Sequence, residues 1–212
     1  MLRTPKKKFW NWFRLSILGI IVLPIIFFVI IPFSKYVIYF PREGDIVFQS
    51  LNRSVDLVRA IEGVSQSHYS HCGVMVKEGD SWYVNEAFGT VKKTPWFDWY
   101  LRGRDYGFWV YRINSADEEI EQFLLELGKY QNRPYDVRYR LDDEYIYCSE
   151  LVYKAYLDAT GKELGELESL GSLNWHPYRK TIKKYEGGEP PLDRKMITPI
   201  SLSQSEHLDR VL

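Results

Sequence analysis

Two side chains in this 212-residue chain stand where acyl-transfer chemistry would need them, a cysteine and a histidine. Cys148 opens the segment CSELVYKAYLDATG. There Leu151, Val152, Ala155, Tyr156 and Ala159 fall at helical spacing and form an apolar stripe. Gly161 sits where a left-handed C-terminal cap is wanted. Ser149 and Glu150 suit the first turn, by capping and by opposing the helix dipole. The predicted helix therefore begins at Cys148. A thiol in that position is stabilised as a thiolate by the dipole and the free N–H groups. The same N–H groups can hold an oxyanion. A buried structural cysteine fits the same spacing, so the decision rests on whether a base can reach it.

His71 opens the segment HCGVMVK, and WYVNEAF follows after Glu78-Gly79-Asp80-Ser81. A two-residue turn at Gly79-Asp80, glycine first, matches a II′ hairpin. That register pairs 71 with 88, 73 with 86 and 75 with 84. His71, Gly73, Val84, Glu86 and Phe88 then share one face. Glu86 becomes the diagonal neighbour of His71, with room above Gly73. A carboxylate there would orient the imidazole as the third member of a triad. A slip of one residue would turn Glu86 to the other face. The same register turns Cys72 away from His71. It is read as a small buried hydrophobe, and a Cys72–Cys148 disulfide is not expected. His68, His176 and His207 read as surface or packing residues. His68, His71, Cys72 and Cys148 match zinc ligands in kind and number. Because His71 and Cys72 are adjacent on a strand and point apart, zinc coordination is not expected, and acyl transfer by a thiol calls for no other cofactor.

The elements that must position these groups follow from periodicity and turn residues. Residues 45–49 read as a strand, and 54–62 as a short helix capped by Ser54 and ended by Gly63. Residues 71–77, 82–88 and 107–113 read as strands. A helix is expected over 116–130, with Ser115 and Glu118 as a capping box. The chain from 162 on reads as loop-rich. This irregular alternation implies an α+β domain over residues 41–212.

The formal net charge is zero and acids are interleaved with bases, which argues against a nucleic-acid partner. Aromatic residues reach 16%, read mainly as core. Two cysteines are too few for a small disulfide scaffold. Residues 15–33, LSILGIIVLPIIFFVIIPF, carry no charge, and their length is close to the ~20 residues that span a bilayer. Trp10, Trp12, Tyr36 and Tyr39 suit the two interfaces. Arg3, Lys6, Lys7, Lys8 and Arg14 precede the run, without an acid. The positive-inside rule then keeps 1–14 in the cytoplasm, makes 15–40 an anchor with its juxtamembrane stretch, and exports the rest. The run lacks an A-x-A cleavage pattern, so it reads as an uncleaved single-pass anchor in a bacterial inner membrane.

GDIVFQ at 44–49, SHCGV at 70–74, NEAFGTVKKTPWFDW at 85–99, RPYD at 133–136 and YCSELVYKAY at 147–156 occur in one order and spacing. Together they resemble the YiiX/YebB/YaeF-like family of permuted papain-like hydrolases, relatives of the NlpC-type cell-wall peptidases. In that group the strand bearing histidine precedes the helix bearing cysteine. The resemblance implies a circularly permuted papain-like domain, an antiparallel sheet packed on helices. It implies Cys148 as nucleophile, His71 as base and Glu86 as the third polar residue. It places Tyr135 near the cysteine in support of the oxyanion, a role that Ser149 at the helix start could share. The expected activity is an amidase or peptidase working through an acyl-enzyme, on cell-wall peptides or amide conjugates. A lipid-directed thiol hydrolase or acyltransferase, similar to the lecithin:retinol acyltransferase group, is the alternative, and a non-catalytic binding domain on the same scaffold is a third.

Overall fold

A computed structural model describes residues 31–142 and 144–212. The chain divides into two compact units between Phe40 and Pro41. Of the first, the described part is helix α1, Ile31–Ile38. The basic stretch 1–14 and all but the end of the apolar run 15–33 lie outside the described residues. Among the described residues no helix is long and apolar enough to cross a membrane.

The second unit is α+β. Its sheet holds β1 (Ile46–Gln49), β2 (His71–Glu78), β3 (Ser81–Phe88), β4 (Thr90–Pro95), β5 (Phe108–Ile113) and β8 (Leu208–Arg210). They lie side by side in the order β4-β3-β2-β1-β5-β8, and each neighbouring pair is antiparallel. The helices are α2 (Asp56–Val64), α3 (Trp96–Arg102), α4 (Asp117–Gly128), α5 (Cys148–Thr160), α6 (Arg179–Glu186) and α7 (Pro199–Ser203). A two-stranded ribbon, β6 (Glu168–Ser169) with β7 (Lys195–Met196), lies within the C-terminal part.

The two faces of the sheet are buried by different layers. Ile46, Phe48, Cys72, Val74, Ala87 and Val91 pack with Leu151, Val152 and Ala155 of α5 and with Phe123 and Leu127 of α4. Period-two alternation sends Val47, Gln49, His71 and Gly73 to the other face. Aromatic side chains of α3 cover that second face. Trp96 meets Phe108 edge-on at 5.1 Å, and Trp99 lies 6.5 Å from His71. Full burial of a Leu or Val is worth roughly 1.5–3 kcal/mol, so α5 is fastened by its apolar stripe.

The β2–β3 hairpin has the predicted register, with Glu78 opposite Ser81 and Met75 opposite Val84. Gly79 has φ +57, as a first turn position of this kind requires. The ladder, however, ends at Val74–Asn85. The expected pairs 71–88 and 73–86 are not part of it, although Gly73 still lies beside Glu86: a Cβ built on it would come 3.1 Å from Glu86 Cβ.

Other local expectations are corrected. Helix α2 starts at Asp56 and has no side-chain cap; Asn52 Oδ1 accepts the Ser54 N–H instead. Gly63 lies inside α2 rather than ending it, because the Tyr178 ring occupies the space a Cβ would need. Helix α4 has no capping box: Ser115 Oγ lies 3.3 Å from Tyr156 OH, across the layer. Gly161 caps α5 in the left-handed conformation, φ +69, as expected. Strand β4 and helix α3 have no counterpart among the expected elements, and the C-terminal part is less irregular than its composition suggests. It supplies α6, α7 and the edge strand β8.

Candidate active site

Helix α5 begins at Cys148, after Tyr147 in extended conformation (φ −102). The Glu150 carboxylate accepts the Tyr147 N–H at 3.2 Å. The start of the helix is tied to the C-terminal segment at Ile197. The Ile197 N–H donates to Tyr147 Oη at 3.0 Å, and Ser149 Oγ donates to the Ile197 carbonyl at 2.8 Å. The Ser149 hydroxyl is therefore committed away from the sulfur. The expectation of an oxyanion role for that side chain is corrected, because a buried hydroxyl takes the nearest acceptor.

Helix α5 packs against β2 and β3, and the Cys148 sulfur receives hydrogen bonds from the His71 ring, the Cys72 thiol, the Cys72 backbone N–H and the Tyr135 hydroxyl. His71 and Cys148 are both about 1% exposed. His71 Nε2 lies 2.5 Å from Glu86 Oε2, which leaves Nδ1 for the sulfur. Glu86 is fully buried and held from two further sides: Thr94 Oγ1 donates to its Oε1 at 2.6 Å, and Arg102 Nη2 donates to its Oε2. A Cβ on Gly73 would overlap the Val84 side chain and lie 3.1 Å from Glu86 Cβ. Only glycine leaves this space.

The charges follow from these contacts. Hydrogen bonding from the Cys72 thiol, opposed by burial and reinforced by His71, holds the Cys148 thiol well below its ordinary pKa. Burial alone would lower the His71 pKa. Its hydrogen bonds and charge interactions with Cys148 and Glu86 outweigh this and raise it to about 9. Burial would raise the Glu86 pKa, but His71 and Arg102 bring it down to about 2. Near neutrality the site is thus a thiolate, an imidazolium and a carboxylate in a row, with Arg102 closing it. A thiolate is the nucleophilic form of cysteine, and an imidazolium is the acid its leaving group needs.

Tyr135 hydrogen-bonds to Cys148, and its Oη lies 3.0 Å from Tyr139 Oη. Burial, with Tyr139 and Cys148 beside it, keeps its phenol protonated, a donor. A cleft of about 290 Å³ opens over this corner. His71, Phe88, Arg102 and Tyr135 line one side, and Val55 and Leu57 stand opposite.

Thr94, Arg102, Tyr139 and the role of Cys72 were not legible in the sequence. Of these only Thr94 carries a signal, because the β3–β4 register makes it diagonal to Glu86. Cys72 is buried in the core on the face opposite His71, as expected, and it also hydrogen-bonds to the Cys148 sulfur, a role the sequence did not suggest. Hydrogen bonds to charged groups are worth about 1.5–3 kcal/mol. Cys72→Ala should therefore slow alkylation of Cys148 in mild acid by about tenfold. Cys72→Ser keeps a donor and should restore most of the rate. Mass spectrometry of the labelled chain checks both. Equal rates in wild type and Cys72→Ala would remove the thiol from the mechanism.

The chain resembles proteins of known sequence and structure along most of its length. It is 33% identical to YiiX of Escherichia coli K12 over 175 residues, 81% of this chain and 86% of that protein. The crystal structure of YiiX from Escherichia coli O157:H7, described there as a metalloprotein, superposes with a TM-score of 0.77 at 30% identity. The match covers 82% of this chain and 98% of that one. The model of the permuted papain-like amidases, YaeF/YiiX type, matches residues 41–212. The buried cysteine–histidine pair thus sits on a papain-like fold whose histidine strand comes first, and the chain belongs to the YaeF/YiiX (C92) family of permuted papain-like amidases.

Proposed function

We propose that residues 41–212 form a thiol amidase that cleaves acyl–nitrogen bonds through a Cys148 acyl-enzyme. The observation that carries this is one imidazole hydrogen-bonded at once to a cysteine at a helix start and to a buried carboxylate. The Cys148 thiolate adds to the acyl carbon. The N–H groups at the start of α5 and the Tyr135 hydroxyl receive the developing oxyanion. The His71 imidazolium gives its proton to the departing amine, and the neutral ring then takes one from the incoming water. Glu86, fixed by Thr94 and Arg102, keeps the ring oriented throughout.

The related Escherichia coli structure is described as a metalloprotein. In this chain, among the described residues, no three His, Cys, Asp or Glu side chains converge as a metal site. His71 Nε2 is taken by Glu86. The donors do not fit a metal here, and no step passes through one.

The charge-free run 15–33 and the basic stretch before it support a single-pass anchor in a bacterial inner membrane with the domain outside. That location favours cell-wall peptides or amide conjugates as substrates. The full chain in phospholipid nanodiscs, incubated with peptidoglycan fragments and with N-acyl amino acids, should release free amine. Cys148→Ala should release none. Amine release that survives Cys148→Ala would overturn the assignment.

A further inference from the structure

Amide cleavage uses the Cys72 thiol only as a donor, yet its place beside the nucleophile allows a second chemistry. Cys72 and Cys148 are the two cysteines of the chain, and both are free. Cys72 is fully buried in one apolar cluster with Phe48, Val74, Leu151 and Val152, where packing alone would accept any small hydrophobe. Its thiol and its backbone N–H both hydrogen-bond to the Cys148 sulfur. Each cysteine is held in place from behind. Cys72 pairs with Phe48 in the β1–β2 ladder, and the helix start at Cys148 is tied to Ile197 through Tyr147 and Ser149. The two thiols are unequal in charge. Cys148 is held as a thiolate, whereas burial and the Cys148 charge beside it keep Cys72 protonated. A thiolate with a second thiol in contact is the arrangement that converts a sulfenic acid into a disulfide. Cys148 is almost fully buried, and His71 and Tyr135, which hydrogen-bond to it, line the cleft. An oxidant that fits such a site is small.

We propose that Cys72 is a resolving cysteine: peroxide oxidises Cys148 to a sulfenic acid, and Cys72 closes it into a Cys72–Cys148 disulfide that switches the site off reversibly. The proposal rests on the reading of Cys148 as the nucleophile and names a regulation of that same site. In the first step the Cys148 thiolate attacks one oxygen of the peroxide. An S–O bond forms as the O–O bond breaks, the sulfur is oxidised by two electrons, and the departing hydroxide takes the His71 proton to become water. In the second step the Cys72 sulfur attacks the Cys148 sulfur. The S–S bond forms as the S–O bond breaks, and the hydroxyl leaves with the Cys72 proton as water. The first step prepares the second, because it removes the Cys148 charge that helps keep Cys72 protonated. Without a resolving thiol, peroxide carries a sulfenic acid on to sulfinic and sulfonic acids, which thiols do not reduce. In the exported location proposed above, a disulfide persists once made.

The test uses the full chain in nanodiscs, reduced, freed of reductant, treated with hydrogen peroxide and quenched with catalase. Thiols that remain are blocked with N-ethylmaleimide after denaturation, and intact and tryptic masses are read. The wild type should lose the mass of two hydrogens, yield a peptide pair joined through Cys72 and Cys148, and take up no N-ethylmaleimide. Iodoacetamide labelling of its Cys148 should vanish with peroxide and return in full with dithiothreitol. Cys72→Ser keeps a donor but removes the resolving sulfur. Scaled to its own labelling before peroxide, it should accumulate sulfinic and sulfonic acid at Cys148, and dithiothreitol should restore none of the labelling. Cys72→Ala answers the same question if Cys72→Ser fails to fold. Sulfinic acid forming in the wild type as fast as in Cys72→Ser would overturn the proposal. So would a disulfide that joins two copies of the chain on a non-reducing gel. The readout needs no substrate: absence of amine release from the reduced chain counts against the amidase reading and leaves the disulfide result standing. Failure of Cys148 to label in mild acid before peroxide would instead count against the thiolate. The disulfide is then read at alkaline pH, where an ordinary thiol ionises.

Discussion

His71→Ala should slow alkylation of Cys148 in mild acid by about a hundredfold or more. With the ring gone, burial of the sulfur is opposed only by the donors of Cys72, and the thiol returns toward or above its ordinary pKa of about 8.5. At alkaline pH the variant and the wild type should converge, because both are then ionised. The rate of iodoacetamide labelling against pH, read by mass spectrometry, checks this. If the acid limb does not move on substitution, the two side chains do not form a pair. Amide cleavage should fall further than labelling, because the ring is also the acid and base of the proposed reaction.

Glu86→Gln is the second large effect. The amide is nearly isosteric, so the ring keeps its place, but the buried charge disappears. The expected loss in amidase turnover is about 10²–10⁴-fold. The His71 pKa should drop from about 9, since Glu86 is one of the groups that raise it. The alkaline limb of the pH–rate profile should therefore move to lower pH. Arg102, which is partly exposed, is left facing a neutral side chain and loses its charge-assisted hydrogen bond, worth about 1.5–3 kcal/mol. Thermal unfolding should reflect that loss. An alkaline limb that stays in place would show that the carboxylate does not act through the histidine.

Stability should depend on pH through the same two groups, in opposite directions. The folded pKa of His71, about 9, lies above its ordinary 6.5. Its contribution is fully present below 6.5 and is lost as pH rises through 9. The folded pKa of Glu86, about 2, lies below its ordinary 4.5. Its contribution is present above 4.5 and is lost as pH falls through 2.

Part of this site is legible in the amino-acid sequence alone. Period-two alternation and the Gly79-Asp80 turn are local properties, and they set the β2–β3 register that puts His71 and Glu86 on one face. Helical spacing and Gly161 place Cys148 at the start of α5 for the same reason. The apolar run 15–33 is read from composition and lies outside the described residues. The remainder depended on how layers meet. That the β2–β3 ladder stops at Val74–Asn85 is announced by no residue in β2. Cys72 shares the sulfur of Cys148, Arg102 reaches Glu86 from α3, and the Tyr139 hydroxyl meets that of Tyr135. These contacts join residues far apart in the chain. Backbone propensity acts over a few neighbouring residues, whereas such meetings are decided by side-chain packing across a finished sheet.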